Sequence, residues 1–479
     1  MKKNLEFLPA VGAGGGFFAV AAQGVYWNLG LAVANKIATL SGQVALAWLL
    51  SPADMGLAGM AMAMAGFAAF LSAGGLSDVL VQRDRCEQEG GQGLWLSLAM
   101  YSSMALFIAV LAPVSIWSGR GELSGLLLII AFSNLINGFD PVLSARLKSR
   151  LDFKNLAISQ FLQGITYTCF ALIFARMGLG PYALVLPAIL RVLVGTGFNL
   201  WRVGRLVFEP PRFEFIKKLF KPTAALALTG FFIGLQTQAP VFCVGLVLNP
   251  TGTGHFAWGW AIASQTVFLL AINLRQVLMP IFVKIKDNPG GQIAAVFKSA
   301  RVMTAALTLV CGLQALLAEP VLDAFFPGKW QPAGPVITWV SLGLVLQGAW
   351  VSISSWLNAE GRYRELLLVS GVPAVLAAGL AYLGAHINRI EGAAVGSAIG
   401  GFLGSAFSFS RIPWISFRAQ TVKFLIPFLG VTTIWIACHF LILENFSLFS
   451  LGLFSVVFLV LSGLVWWYSD DGTLKKLFG

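Results

Sequence analysis

The sequence predicts an all-α polytopic membrane protein of about 14 transmembrane helices, built as two six-helix lobes in parallel orientation plus two extra C-terminal helices. Three observations carry this: composition, the sidedness of the charge, and echoes between the two halves. Of 479 residues, 57% are hydrophobic and only 11% charged, with a mean hydropathy of +0.81. A soluble domain carries about 25% charged residues. Hydrocarbon, not water, is the main solvent of this chain.

The elements follow in order. Residues 1–24 hold a Gly-rich apolar run without a clear signal-peptide layout and are read as an interfacial lead-in. Spans fall near 25–50, 54–76, 93–114, 123–144, 156–178, 180–204, 222–248, 255–280, 301–318, 334–357, 365–384, 391–410, 421–443 and 446–468. The stretch from Trp48 to Arg85 shows the logic most clearly. Ser51-Pro52 cannot continue a helix, because proline lacks the amide donor and restricts the residue before it. Asp54 then suits a helix N-terminus, where its carboxylate accepts orphan amides. About twenty apolar residues follow, enough to cross ~30 Å of hydrocarbon.

The net charge of +12 could suggest nucleic acid, but its placement decides otherwise. With a cytoplasmic N-terminus, 25 of the 32 lysines and arginines flank cytoplasmic ends, four (Arg120, Arg176, Lys329, Arg389) flank outer ends, and three lie inside spans. This is a positive-inside distribution with both termini cytoplasmic. Five scattered cysteines have no metal or redox spacing and read as small buried apolar residues.

Two echoes suggest duplication. Leu50-Ser51-Pro52 reaches Gly56, and Leu248-Asn249-Pro250 reaches Gly254 at the same spacing. Phe153-Lys154-Asn155-Leu156 is echoed by Tyr363-Arg364-Glu365-Leu366. Six spans per unit is an even number, so the halves share orientation. The expected organisation is a lead-in (1–24), an N-lobe (25–220), a C-lobe (221–415), and two further helices with a tail (416–479). Gly392–Gly404 carries small-residue spacings that favour close helix packing.

Ionisable groups inside spans cost about 2.5 to 3.5 kcal/mol each on insertion scales, so each invites a reason. Lys36 lies mid-span in the first helix, Asp140 toward the cytoplasmic end of the fourth, Arg191 mid-span in the sixth, and Arg275 in the last turns of the eighth. Fixed cations inside spans suit an anionic substrate in a watery cavity; arginine grips phosphate bidentately and lysine as a point charge. Lys36, Arg191 and Arg275 are therefore candidate substrate ligands. Snorkelling of Arg275 to headgroups and an interhelical pair of Arg191 with Asp140 are the structural alternatives. Asp140, followed by Pro141, is the well-immersed carboxylate and a candidate for ion coupling; a salt bridge or a boundary role is its alternative. Asp78 reads as a boundary charge. Trp258 and Trp260 are candidates for sugar stacking, against membership of an interfacial aromatic belt. In-span polar residues such as Asn35, Gln163 and Gln236 suggest a hydrated interior, or interhelical hydrogen bonding. The three histidines have no paired spacing, no metal site is expected, and no strand precedes a Gly-rich phosphate loop.

The 48–85 stretch closely resembles the N-terminal signature of the bacterial polysaccharide transporter family, the Wzx-like oligosaccharide flippases of the multidrug/oligosaccharidyl-lipid/polysaccharide superfamily. Four further places are similar in order: Ala145–Ala157 (ARLKSRLDFKNLA), Leu274–Pro280 (LRQVLMP), Phe325–Gly343 (FFPGKWQPAGPVITWVSLG) and Asn358–Glu365 (NAEGRYRE). One departure is His255–Trp260 (HFAWGW), where the family often has a Tyr-rich turn and a polar residue. The resemblance implies a MATE-like fold in the cell inner membrane. It also implies a lipopolysaccharide or exopolysaccharide transporter that flips undecaprenyl-diphosphate-linked oligosaccharide by alternating access. An ion gradient and not ATP would drive it, with no cofactor and with polysaccharide polymerase or export machinery as partners.

Two rival readings differ in kind. A polymerase or ligase enzyme would need reactive groups on a long outer loop, whereas the longest outer loop, Glu319 to about Gly334, is short and poor in charge. A cationic-drug exporter would want carboxylates, and the spans offer three cations and one acid. A peptidoglycan lipid-precursor flippase shares the span count and the cationic cavity and stays open.

Overall fold

A computed structural model describes residues 15–72, 75–82, 86–117, 119–150, 152–204, 210–285, 287–412, 430–438 and 448–469. Sixteen helices in this account cover nearly all of them: α1 (Gly15–Leu49), α2 (Pro52–Gly66), α3 (Leu76–Gln82), α4 (Cys86–Trp117), α5 (Glu122–Asn137), α6 (Asp140–Ser149), α7 (Phe153–Arg176), α8 (Tyr182–Val185), α9 (Pro187–Val203), α10 (Phe213–Val247), α11 (Pro250–Lys284), α12 (Pro289–Phe325), α13 (Gly334–Gly343), α14 (Gln347–Ala359), α15 (Tyr363–Phe407) and α16 (Leu448–Ser469). The protein is all-α and its apolar helices cross a membrane several times. Among the described residues, six helical stretches are long and apolar enough to span, and α13 and α14 form a seventh bent by 46°. The span read at 421–443 lies mostly outside the described residues.

Local chemistry sets the helix ends. α1 stops at Leu49 and α2 starts at Pro52, as the Ser51-Pro52 break requires, with Asp54 in the first turn. Asn249 caps α11, its side-chain oxygen accepting from Gly252 N at 2.8 Å, with Pro250 at the first helical position. Asp152 caps α7 by accepting from Asn155 N.

The chain groups into two compact units, residues 1–51 with 68–230, and 52–67 with 231–479. In the first, α7 packs between α1 and α9, and α4 against α5. Two glycines make room on these faces: Gly164 for the Asn35 side chain and Gly195 for that of Gln163. At the basic end, Asp78, read from the sequence as a boundary charge, accepts from Lys148 Nζ at 2.8 Å.

In the second unit, backbone meets backbone. α2 belongs here because it lies directly along α11. A methyl group on Gly56 would collide with the Pro250 carbonyl oxygen, and one on Gly254 with the Pro52 carbonyl oxygen. The two Pro-x-x-x-Gly echoes thus pack reciprocally on each other. α15 is a hairpin: Asn388 and Arg389 leave helical geometry (Arg389 φ 44°, ψ −123°), so the spans read at 365–384 and 391–410 are its antiparallel arms. Gly384, Gly392, Gly396, Gly400 and Gly404 bring the arms to backbone contact, which is the close packing their spacing predicts.

A third echo escapes notice until the fold is seen. Gly-Gly-Gln recurs at 90–92 and 290–292, and both glutamines are buried near the starts of long helices. Gln92 Nε2 donates to Pro210 O at 2.9 Å and its oxygen accepts from Arg212 N at 2.6 Å. Gln292 donates to Phe282 O and Glu360 and accepts from Trp356 Nε1. A primary amide can donate and accept together, which makes it a natural clasp for a chain end.

Candidate functional site

The fourth span of the first unit breaks at Gly138-Phe139, and Asp140 is the first residue of the helix that resumes. Pro141 follows it without an amide hydrogen, and the Gly138 carbonyl at the break accepts from Ser97 Oγ of α4 at 2.7 Å. Asp140 Oδ1 accepts from Asn199 Nδ2 of α9 at 2.9 Å, and Oδ2 accepts from Ser144 Oγ at 3.1 Å. Asn199 is 1% exposed, and its Oδ1 has no donor among the described residues. Arg191, two turns earlier on α9, acts electrostatically on Asp140 and on Tyr167, and buried Tyr101 of α4 lies within electrostatic reach of the same carboxylate. Tyr167 of α7 donates to Leu184 O at 2.8 Å.

Lys36 sits half-buried on α1, next to Asn35, whose side chain fills the space at Gly164 of α7. The first unit therefore carries one polar seam across α1, α7, α9 and α6. Arg191, exposed on α9, reaches Asp140 through its charge alone, and Lys36 stands on α1 beside the Asn35 that meets α7. A seam with two cations, one carboxylate and several amides at membrane depth can bind an anion and hold a titratable proton.

The second unit repeats the plan in neutral chemistry. Its broken span resumes at Gln347, 207 residues after Asp140. Gln347 Nε2 donates to Gln236 Oε1 at 3.2 Å, its oxygen accepts from Ser405 Oγ at 3.3 Å, and Gln236 donates on to Ser370 O. Ser405 stands 206 residues after Asn199, so break residue and partner recur together.

Residues 45–335, more than half of the chain, match the family described as polysaccharide biosynthesis protein. The chain belongs to that family. A succinoglycan biosynthesis transport protein, ExoT of Rhizobium meliloti (strain 1021), is 26% identical over 422 residues, covering 85% of this chain and 83% of that protein. Two solved structures share the fold. The lipid II flippase MurJ in its inward closed conformation has a TM-score of 0.67 at 14% identity, covering 95% of this chain and all of that one. An inward-facing MATE multidrug-resistance transporter of the MOP superfamily has a TM-score of 0.67 at 16% identity, covering 81% and 95%. This member of the family is a multi-pass membrane protein with the fold that those two solved structures share.

The remaining candidates fall in the second unit. Arg275 falls on α11, and its side chain lies outside the described residues. Trp258 and Trp260 are buried among rings: Trp258 lies 4.5 Å from Trp330 and 5.8 Å from Phe326, and Trp260 stacks on Phe256 at 5.9 Å. A sugar could stack on either only if those pairs part. His255 Nε2 lies 2.9 Å from Lys329 O and packs edge-on to Trp330. Burial holds the Lys329 ammonium below its ordinary pKa, partly offset by the Asp54 charge.

Sequence reading missed Asn199, Tyr101, Gln347 and Ser405. Extending the duplication register of about 200 residues beyond the two echoes would have paired Asn199 with Ser405 and Asp140 with Gln347.

Proposed function

We propose that this chain flips an undecaprenyl-diphosphate-linked oligosaccharide across the cell inner membrane, by alternating access of its two lobes and at the expense of an ion gradient. The observation that carries the reading is the set of charges on the apolar helices of the first unit, where Arg191 acts electrostatically on Asp140 and Lys36 stands half-buried on α1. Membership of the polysaccharide biosynthesis family and the likeness to a succinoglycan transport protein support the cargo class. Lys36 and Arg191 hold the diphosphate, which brings about two negative charges, and Arg275 contributes from the second lobe. Asp140 couples the ion. Its Asn199 partner keeps an unfilled acceptor beside the carboxylate, which suits a group that gains and loses a proton or cation. The chemistry is transport and not bond making.

The test is transfer of a labelled undecaprenyl-diphosphate-oligosaccharide between leaflets of proteoliposomes under an imposed ion gradient. Wild type is compared with Lys36→Ala and Arg191→Ala at matched folding. Transfer that falls in both variants is the expected result. Transfer that ignores both substitutions discards the cationic site, and no transfer of any lipid-linked glycan discards the flippase.

A further inference from the structure

A cavity of about 540 Å³ lies within the first unit, lined by Leu71, Leu96, Met100, Ser103, Phe220 and Leu228, with Ala99 and Ala224 completing its wall. That volume is in the range of small-ligand sites. Leu96, Ala99, Met100 and Ser103 recur at i, i+3, i+4 and i+7, one stripe of α4. On α10 the facing stripe is Ala224 and Leu228, with Phe220 beside it. Followed one to two turns toward the basic end, the same stripe becomes Lys221 and Lys217, both exposed. The stripe from Lys217 to Leu228 is about 16 Å long. Phe220 is 50% exposed and Leu228 40%, so the cavity is an open groove and not a sealed core void. Its foot is built: Gln92 clasps Pro210 and Arg212 at the start of α10, which fixes the two groove helices to each other.

An apolar groove ending in paired ammonium groups fits one kind of molecule, an amphiphile with a long hydrocarbon tail and a compact anionic head. We infer that this groove binds a polyprenyl diphosphate before translocation, with the first isoprene units between α4 and α10 and the diphosphate against Lys217 and Lys221, ahead of its passage to Lys36 and Arg191. The groove takes the cargo's lipid part from the leaflet at the basic end, away from the Lys36–Arg191 seam. Here the inference rests on the flippase reading for why such a lipid should be held at all. Branched isoprene units suit the knobbed wall of Leu96, Met100 and Phe220. Two lysines separated by one helical turn suit a diphosphate better than a single phosphodiester.

The test uses the full chain in lipid nanodiscs with two photoprobes, a polyprenyl diphosphate bearing a diazirine in its second isoprene unit and a phosphatidylglycerol bearing one at matching depth. Cross-links are located by mass spectrometry, and the same preparations are assayed for glycan-lipid transfer in vesicles. The polyprenyl probe is expected to label 96–103 and 220–228, to be displaced by unlabelled polyprenyl diphosphate, and to lose labelling roughly tenfold or more in Lys217→Gln/Lys221→Gln, since each basic residue near a lipid surface contributes on the order of 1 kcal/mol. Ser103→Trp, an exposed position on the groove wall, should block the tail without touching the lysines. Equal labelling by phosphatidylglycerol, or labelling that unlabelled polyprenyl diphosphate does not displace, makes the groove a seat for bulk lipid and overturns the inference. Polyprenyl labelling elsewhere, with transfer intact, overturns it while keeping the flippase. Groove labelling without any transfer keeps the site and removes the flippase.

Discussion

The two units break the same span at the same place and fill the break differently. In the first, a carboxylate resumes the helix, bonded to Asn199 and Ser144 with Arg191 in electrostatic reach. In the second, Gln347 resumes it, bonded to Gln236 and Ser405. Their packing differs in the same sense. Gly164 and Gly195 of the first unit leave room for polar side chains (Asn35, Gln163), whereas Gly56 with Gly254 and Gly384 with Gly392 of the second let backbones touch. One plan thus yields a charge-bearing break in the first unit and a neutral one in the second. The two units share the position of the break, and the side chains there set its charge.

Changes at the glycines should separate the units most. Gly254→Val drives side-chain carbons into the Pro52 carbonyl, which cannot swing aside. It should cost about 3 kcal/mol or more, seen as a lowered thermal unfolding midpoint in detergent. Gly195→Ala meets only the flexible Gln163 side chain and should cost about 1 kcal/mol or less. Equal losses would end the packing contrast.

Charge is tested next. Arg191→Ala should lower transfer of the glycan lipid roughly 10- to 100-fold, the worth of a charge-assisted contact, while Gln236→Ala at the neutral break should change it far less. Comparable losses from the two would make the neutral break part of the binding chemistry. Asp140→Asn keeps an acceptor for Asn199 and a polar group for Ser144 but cannot titrate. The variant should fold, transport at a reduced rate, and lose the wild type's response to a pH gradient. An unchanged response removes coupling through Asp140. The reciprocal Gln347→Glu should leave that response untouched.

The smallest effect concerns the α15 hairpin. Arg389 holds φ at 44°, which suits glycine, so Arg389→Gly should raise stability by about 1 kcal/mol. A loss instead would mean that the arginine side chain anchors the turn.

Much of this was legible in the chain. Proline at 52 and 250 placed helix starts, because a missing amide acts locally whatever surrounds it. The span positions at 93–114, 156–178 and 301–318 fall on α4, α7 and α12, because length and hydropathy are properties of a segment alone. Close packing at Gly392–Gly404 followed from small-residue spacing. Asp140 stood out because a carboxylate within a span is expensive wherever it lies. Its partners did not stand out: Asn199 is one of many in-span amides, and nothing local distinguishes the one that meets the carboxylate. Trp258 and Trp260 looked available for stacking, since a sequence shows an aromatic but not the rings that cover it.

By itself, then, the sequence determined solvent, span placement, helix ends and the short inventory of charges that membrane depth makes costly. Tertiary structure alone decided that α2 lies along α11, that Asn199 and Ser405 close matching breaks, and that the α4 stripe faces that of α10 across a groove. Helical periodicity assigns a residue to a face, but only packing decides which neighbour that face meets, and hydrogen bonds, cavities and ion pairs belong to the neighbours.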